Sequence, residues 1–474
     1  MRQTLETLIS LAPPAKKGAP VDSFSGKHNP FGIRLGFTTP QHQTTGFSNC
    51  KPNNPTRQEI RTGADGHLIS FAPTGSGKTW TLAIPTLLDY PGSVVAFDPK
   101  GELAKATAGA RQAMGQNAII LDPFEITGLE TESLNPMDLV LGKEPTLEDA
   151  QSLATSVINR VSDLDPFWDI SARNLVAQLL LYTQYESPRA LRNLHEVNYL
   201  LNQSLKDFSL TIRDMARSKT NLVSSGAHSL PTQADKTVAC ILASARSHTE
   251  VFRGEAVRKA TSATSFPLEK LNGESGVTIY LVLPPAYLRS HSAIVRVWME
   301  ALIGWRIRQA NEVKRETLFL IDEAAQLGSM DFLLTSVTLL RSYGVKCWTF
   351  WQDPQQLQAC YPQDWQTLFN NCRYHTVFGR QSFLAEEAFT PLYGTVENGL
   401  KRSGYFVELG ETPLAFTRPN VESVAERVHS QPQLKIERKK PKPSEANVAL
   451  SRLLKEFPDR PEPNGGACVD PIPF

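Results

Sequence analysis

The sequence predicts an α/β fold, a mostly parallel sheet covered by helices, and three observations carry that prediction. From His67 onward, short apolar runs alternate with longer stretches of helical period. A glycine-rich loop, Ala72-Pro73-Thr74-Gly75-Ser76-Gly77-Lys78-Thr79, follows the first run and opens a helical pattern. A later run, Leu318 to Ile321, ends in two acids, Asp322 and Glu323. Such alternation buries both faces of a parallel sheet beneath crossover helices.

Residues 1–60 are rich in Pro, Gly, Asn and Thr and lack periodicity, so an irregular arm is expected there. Strands are expected at Leu68–Phe71, Val94–Phe97, Ala118–Leu121, Val277–Leu283, Leu318–Ile321, Lys346–Trp351 and Tyr374–Phe378. Helical patterns lie between most of them, including Trp80–Tyr90, Ala293–Gln309 and Met330–Ser342. Residues 143–271 hold no convincing strand but several segments of helical period: Leu147–Val161, Ile170–Thr183, Leu191–Leu201 and Thr232–Arg246. Thr146 with Asp149 resembles a capping box at the start of the first. The simplest account is an all-α insertion domain, which splits the nucleotide-binding domain into 61–142 and 272–434. A Pro- and charge-rich tail follows from 435, with the basic run Arg438-Lys439-Lys440-Pro441-Lys442 and a short helical pattern at Val448–Phe457. It reads as a solvated tail or as a docking tail for a partner or nucleic acid.

A chain of 474 residues with formal net charge +1 has room for a sizeable core and is not a globally basic nucleic-acid coat. A local basic lining in a pore or groove stays open. Six cysteines (Cys50, Cys240, Cys347, Cys360, Cys372 and Cys468) lie far apart without CxxC spacing, and no histidine pair has metal spacing. A reduced cytoplasmic chain fits them better than a disulfide framework or a zinc site. Met1 to Ala12 runs into Pro13, Pro14, Lys16 and Lys17 and is no signal peptide. A membrane span needs about 20 consecutive apolar residues. The nearest candidates, Leu175–Tyr182 and Ile294–Ile307, are short or broken by Arg296, Glu300 and Arg306.

The loop at Ala72–Thr79 has the placement a phosphate-binding loop requires, after a strand and before a helix. Small residues let successive backbone N–H groups turn inward around phosphate oxygens, and the helix N-terminus adds favourable dipole charge. Thr74, Gly75, Ser76, Gly77, Lys78 and Thr79 are the expected phosphate cradle. Lys78 reaches the β- and γ-phosphates of ATP and the Thr79 hydroxyl ligates Mg2+. Ala72 stands where the first glycine is usual, which works if its φ stays negative. Asp322 is the expected metal-site acid and Glu323 the general base that activates the attacking water. Gln352, after the strand ending at Trp351, senses the γ-phosphate or orients water, or makes an ordinary strand-end contact. Asp98-Pro99-Lys100-Gly101-Glu102 closes the strand after the loop's helix; it is a structural turn or one beside the nucleotide or a subunit boundary. Arg341 is a surface helix-end arginine or a trans-acting finger.

The combination resembles the TraG-type coupling proteins of type IV secretion and conjugation. The elements that carry the resemblance are APTGSGKT at Ala72, VVAFDPKGEL at Val94, SLNPMD at Ser133, DPFWDISARNLV at Asp165, YLVLPP at Tyr280, FLIDEAAQLG at Phe319, and LLRSYG followed by WQDPQQL. They run in that family's order from about Leu68 to Gly394. The resemblance implies a RecA-like P-loop NTPase, usually a homo-hexameric ring around a central channel. Such a ring connects relaxase-bound DNA (the relaxosome), or a protein effector, to the secretion channel. The all-α domain is implicated in substrate recognition. Lys78, Thr79, Asp322, Glu323 and Gln352 align with the family's nucleotide-handling positions, and Arg341 with a proposed arginine finger. Phe167 and Trp168 match a family motif and are expected to anchor a helix in the core. Two features depart from the family: no transmembrane helices are legible, and Trp80 stands where a small residue is common. The first implies an anchorless chain brought to the inner membrane by a separate membrane subunit, or one whose anchor is missing. Two other readings remain: an FtsK-like DNA pump outside secretion, and a non-hydrolysing docking platform switched by nucleotide.

Overall fold

A computed structural model describes residues 32–38, 58–63, 66–158, 166–229, 236–272, 276–309, 316–379, 403–408 and 414–432. Eleven strands form one sheet: β1 (Arg34–Thr38), β2 (Glu59–Arg61), β3 (His67–Phe71), β4 (Ser93–Asp98), β5 (Asn117–Leu121), β6 (Val277–Val282), β7 (Thr317–Ile321), β8 (Val345–Trp351), β9 (Cys372–Phe378), β10 (Ser403–Glu408) and β11 (Leu414–Thr417). Across the sheet they lie in the order β2-β1-β11-β10-β9-β3-β8-β7-β4-β6-β5. From β9 to β5 every pairing is parallel, and these seven strands are the apolar runs read from the sequence. The other four pair antiparallel.

The antiparallel wing corrects one expectation. Arg34–Thr38 falls in the segment read as irregular, yet it is a strand lying between β2 and β11. Only five residues long and half-buried on one side, it gave too short a period to stand out. Gly36 is needed there, because a Cβ would stand 2.6 Å from the Thr417 carbonyl and 2.7 Å from the Phe416 ring. Residues from both sides of the parallel core thus complete one sheet.

The helices are α1 (Ile84–Asp89), α2 (Glu102–Ala113), α3 (Pro136–Val140), α4 (Leu147–Val157), α5 (Phe167–Glu186), α6 (Leu194–Leu201), α7 (Leu205–Ala216), α8 (Asn221–Ser229), α9 (Lys236–Thr249), α10 (Glu255–Thr261), α11 (Leu288–Arg308), α12 (Asp331–Leu339), α13 (Pro354–Cys360), α14 (Trp365–Asn371) and α15 (Val421–Ser430). Between β5 and β6 the described residues hold only helices. The capping box that opens α4 is present: the Thr146 hydroxyl accepts from the Asp149 N–H at 3.1 Å, and the Asp149 carboxylate accepts from the Thr146 N–H at 3.2 Å. Ser204 and Asn193 cap α7 and α6 by accepting the Asp207 and Glu196 N–H groups.

Strand alternation sorts the core into two faces. Ile69, Phe71, Val95, Phe97, Phe319 and Ile321 point to one side, where they join Leu175 and Leu179 of α5 and Trp298 of α11 in a single apolar cluster. Leu68, Val94, Ala96, Leu318 and Leu320 point to the other, against Leu87 of α1, Ala104 of α2 and Val424 of α15. The helical insertion therefore shares its core with the sheet. The Trp298 indole N–H, donating to the Leu134 carbonyl at 2.9 Å, ties α11 to the chain entering that insertion. Among the described residues no helix is long and apolar enough to cross a membrane.

Candidate nucleotide-binding site

The loop 72–79 joins β3 to its helix with the backbone the glycines predict. Gly75 and Gly77 have φ of 78° and 82°, a region that only glycine enters without strain. A Cβ at Gly75 would meet nothing within 4 Å, so the space beside the loop is open there. Ala72 keeps negative φ and is held by its N–H to the Trp351 carbonyl at 2.8 Å. The helix differs from expectation at its start: Thr79–Ala83 is one π-helical turn before α1. Pro85 has no N–H to return to the Thr81 carbonyl, and the widened turn accommodates that missing bond. Trp80 on this turn is half-buried against the second face of the core.

β7 lies beside β4 and β8, and its last residues deliver the acids. The Thr79 hydroxyl donates to Asp322 Oδ2 at 3.0 Å, and Lys78 Nζ stands 3.9 Å from Asp322 Oδ1. Lys78 Nζ pairs with Glu323 Oε1 at 2.6 Å, and the Gln352 amide donates to Glu323 Oε2 at 3.2 Å. Glu323 adopts a left-handed backbone, φ 54° and ψ 51°, one of only two non-glycine residues with positive φ among those described. Such a conformation costs about 1–3 kcal/mol and is held only where its surroundings over-determine it. Here it turns the chain out of β7 so that Asp322 and Glu323 both face Lys78.

Burial raises the Asp322 carboxyl above the usual range, opposed by Lys78 and the Thr79 hydroxyl and reinforced by Glu323. The neighbouring strand adds a third acid. Phe97 pairs with Ile321, which brings Asp98 beside Asp322. Burial pushes Asp98 up to about 7, with Asp322 contributing, against backbone hydrogen bonds led by the Ala104 N–H at 2.9 Å. The turn at Asp98 is thus both a structural cap for α2 and a neighbour of the acid site. Asp322 Oδ1 is buried without a hydrogen-bond partner. With the Thr79 hydroxyl beside it, this is a hard-oxygen donor set suited to Mg2+, and the open glycine cradle with buried Lys78 suits a polyphosphate.

Thr74, Gly75, Ser76, Gly77, Lys78, Thr79, Asp322, Glu323 and Gln352 are therefore brought together, and Arg341 is not. Arg341 lies exposed in the 3-10 turn Leu340–Tyr343 that precedes β8. Gln352 follows the other end of β8, whose seven residues span about 20 Å at 3.3 Å each. Phe167 also departs from expectation: Trp168 packs against the core, but Phe167 is 52% exposed, with its ring edge-on to Trp168 at 5.1 Å.

Two contacts on the loop escaped sequence reasoning. Arg418, buried at the end of β11, donates through Nη1 to the Ser76 carbonyl at 2.7 Å and to the Thr81 hydroxyl at 3.0 Å. Its guanidinium stacks on Phe378 at 4.1 Å. Nothing in the Arg418-Pro419 pair marks it in the sequence. Gly379 (φ 80°) follows β9 so closely against the loop that a Cβ would stand 2.7 Å from Ser76 Cβ. A glycine directly after a predicted strand was the available signal.

The parallel sheet, the crossover helices and this loop define a RecA-like P-loop NTPase fold. A sequence model of the family described as "Type IV secretory system Conjugative DNA transfer" matches residues 22–383, and the chain belongs to that family. A conjugal transfer protein TraG of Escherichia coli is 26% identical over 342 residues, 67% of this chain and 53% of that protein. The type IV secretion system-coupling protein VirD4 of Bartonella quintana is 27% identical over 305 residues, 61% and 47% of the two chains. The chain spans about half the length of the curated relatives it matches. Among solved structures, the plasmid coupling protein TrwB in complex with the non-hydrolysable ATP analogue ADPNP superposes with a TM-score of 0.59 at 18% identity, covering 74% of this chain and 85% of that one. TrwB in complex with ADP and Mg2+ superposes with a TM-score of 0.54 at 18% identity, covering 78% and 81%.

Proposed function

We propose that this chain is an ATP-hydrolysing coupling protein that recruits relaxase-bound DNA, or a protein effector, and drives its transfer into a type IV secretion channel. The observation that carries the proposal is the constellation of Lys78, Thr79, Asp322, Glu323 and Gln352 gathered around a single P-loop. In this reading Lys78 and the backbone N–H groups of 74–79 hold the β- and γ-phosphates of ATP. Thr79 and Asp322 would hold Mg2+, which when bound would neutralise charge on the phosphates. Glu323 takes a proton from the attacking water, and the Gln352 amide, bonded to the same carboxylate, fixes its orientation. The phosphates and Glu323 compete for Lys78, so nucleotide binding frees the base.

Arg341 acts on a neighbour's nucleotide in the same proposal. About 20 Å of β8 separates it from the nearest part of its own site, and a homo-hexameric ring supplies a second site to meet it. DNA, the relaxase, the secretion channel and a separate inner-membrane subunit are the proposed partners, on the strength of family membership. TraG and VirD4, the relatives, are named for conjugal transfer and type IV secretion. An ATPase assay without DNA, with DNA and with relaxase-bound DNA tests the reading. Turnover stimulated most by the relaxase complex supports it. Stimulation by any duplex alike favours a DNA pump outside secretion, and nucleotide binding without turnover favours a docking platform.

A further inference from the structure

The helix α11 carries two charged groups that the proposed chemistry does not use. Arg296 and Glu300 lie one turn apart on the same helix face. Arg296 Nη1 donates to the Leu327 carbonyl at 3.0 Å and to the Ser292 hydroxyl at 2.9 Å. Leu327 closes the 3-10 turn Ala324–Leu327, which begins directly after Glu323. The same short turn is held at its start by the Gln326 N–H donating to the Glu323 carbonyl at 2.9 Å. A charge-assisted bond to this carbonyl thus acts on the segment that fixes the strained backbone of Glu323.

Glu300 connects Arg296 to the helical layer. The Ser156 side chain of α4 hydrogen-bonds to its carboxyl, and Arg173 of α5 and Arg296 both stabilise its charge. Arg173 in turn donates to the Ile158 carbonyl at the end of α4, at 2.7 Å. Burial nevertheless pushes Glu300 up to about 7, with Asp331 contributing in the same direction. A half-buried cluster of this kind is costly unless its members satisfy one another. The path runs from two helices of the insertion, through one helix face, to the turn behind the candidate base.

We propose that Arg296 is a positioning residue for Glu323, and that the helical layer sets its position through Glu300 and Arg173. The catalytic half of this rests on Glu323 being the base; the mechanical half does not. The plain rival is that Arg296 only neutralises Glu300. Arg296→Met/Glu300→Gln removes both charges together, so under the rival it behaves as wild type. The test measures hydrogen exchange in the full chain across 323–330 and 72–79, together with steady-state ATP hydrolysis. Arg296→Met/Glu300→Gln and Arg173→Gln should each speed exchange across 323–330 about tenfold, the loss of one charge-assisted hydrogen bond, with 72–79 unchanged. Turnover should fall about 10- to 100-fold in kcat at unchanged KM for ATP, as displacement of a reacting group does. Arg296→Lys, which can still donate to the Leu327 carbonyl, should recover most of both. Wild-type exchange across 323–330 in either variant overturns the coupling. A loosened turn with wild-type kcat overturns the catalytic half alone. A wild-type chain that hydrolyses no ATP counts against the nucleotide reading, and exchange still decides the coupling.

Discussion

At the scale of single residues, the site is held from parts of the chain with different legibility. Lys78, Thr79, Asp322 and Glu323 were readable because phosphate and metal chemistry demands those types at those offsets from strand ends. Arg418 was not, because its role comes from where β11 places it, against the Ser76 carbonyl and the Thr81 hydroxyl. Arg418→Met should loosen the phosphate loop and weaken ATP binding about tenfold, the worth of one or two hydrogen bonds to a charged donor. Titration with a fluorescent ATP analogue checks this, and an unchanged Kd would remove Arg418 from the account. Thr79→Ala should keep nucleotide binding but require far more Mg2+ for turnover, since it takes one oxygen from the metal's donor set. A wild-type Mg2+ dependence would show that Asp322 alone suffices.

At the scale of elements, the seven parallel strands were legible because their residues are mainly apolar and, apart from Arg373 in β9 and the first two residues of β5, buried. The antiparallel wing was not, since β1 and β2 are short and the pairing of β1 with β11 joins distant parts of the chain. Helix ends shifted where local bonding competes, as with the π turn ahead of Pro85. The register of β3 against β8 has its own titratable pin. His67, 2% exposed, accepts the Cys347 N–H through Nδ1 at 3.0 Å. Burial, then Lys346 and Arg341, lower its pKa from 6.5 to about 4. A depressed histidine stays neutral in the folded chain while the unfolded chain protonates. Its contribution is therefore complete above pH 6.5 and fades toward pH 4, by about 1.4 kcal/mol per unit. His67→Asn keeps an acceptor and does not titrate. The stability gap between wild type and this variant in urea should narrow as pH falls through that window; a constant gap would contradict the assignment.

At the scale of the whole molecule, one sheet places two functional ends apart: the nucleotide site at its carboxyl edge and Arg341 at the opposite edge. In the proposed ring, a neighbouring copy would bring the two together. Rings mixed from Arg341→Ala and Lys78→Ala subunits should regain part of the turnover that each lacks, through interfaces pairing an intact loop with an intact arginine. Fingers of this kind contribute about 10³–10⁵ in rate. Mixed rings without activity would assign Arg341 a local role beside His67. The all-α character of residues between β5 and β6 was legible from helical period, whereas its fusion to the sheet's core was not, because that depends on which face α5 and α11 present.

In the proposed mechanism Lys78, Asp322 and Glu323 form a hydrolytic centre and not only a binding site. Its most direct measurement is ATP binding and Mg2+-dependent ATP hydrolysis, side by side, in wild type, Lys78→Ala and Glu323→Gln. Wild type should turn ATP over, Lys78→Ala should lose turnover and bind ATP more weakly, and Glu323→Gln should bind ATP as wild type does without hydrolysing it. Wild-type turnover in Glu323→Gln would contradict it.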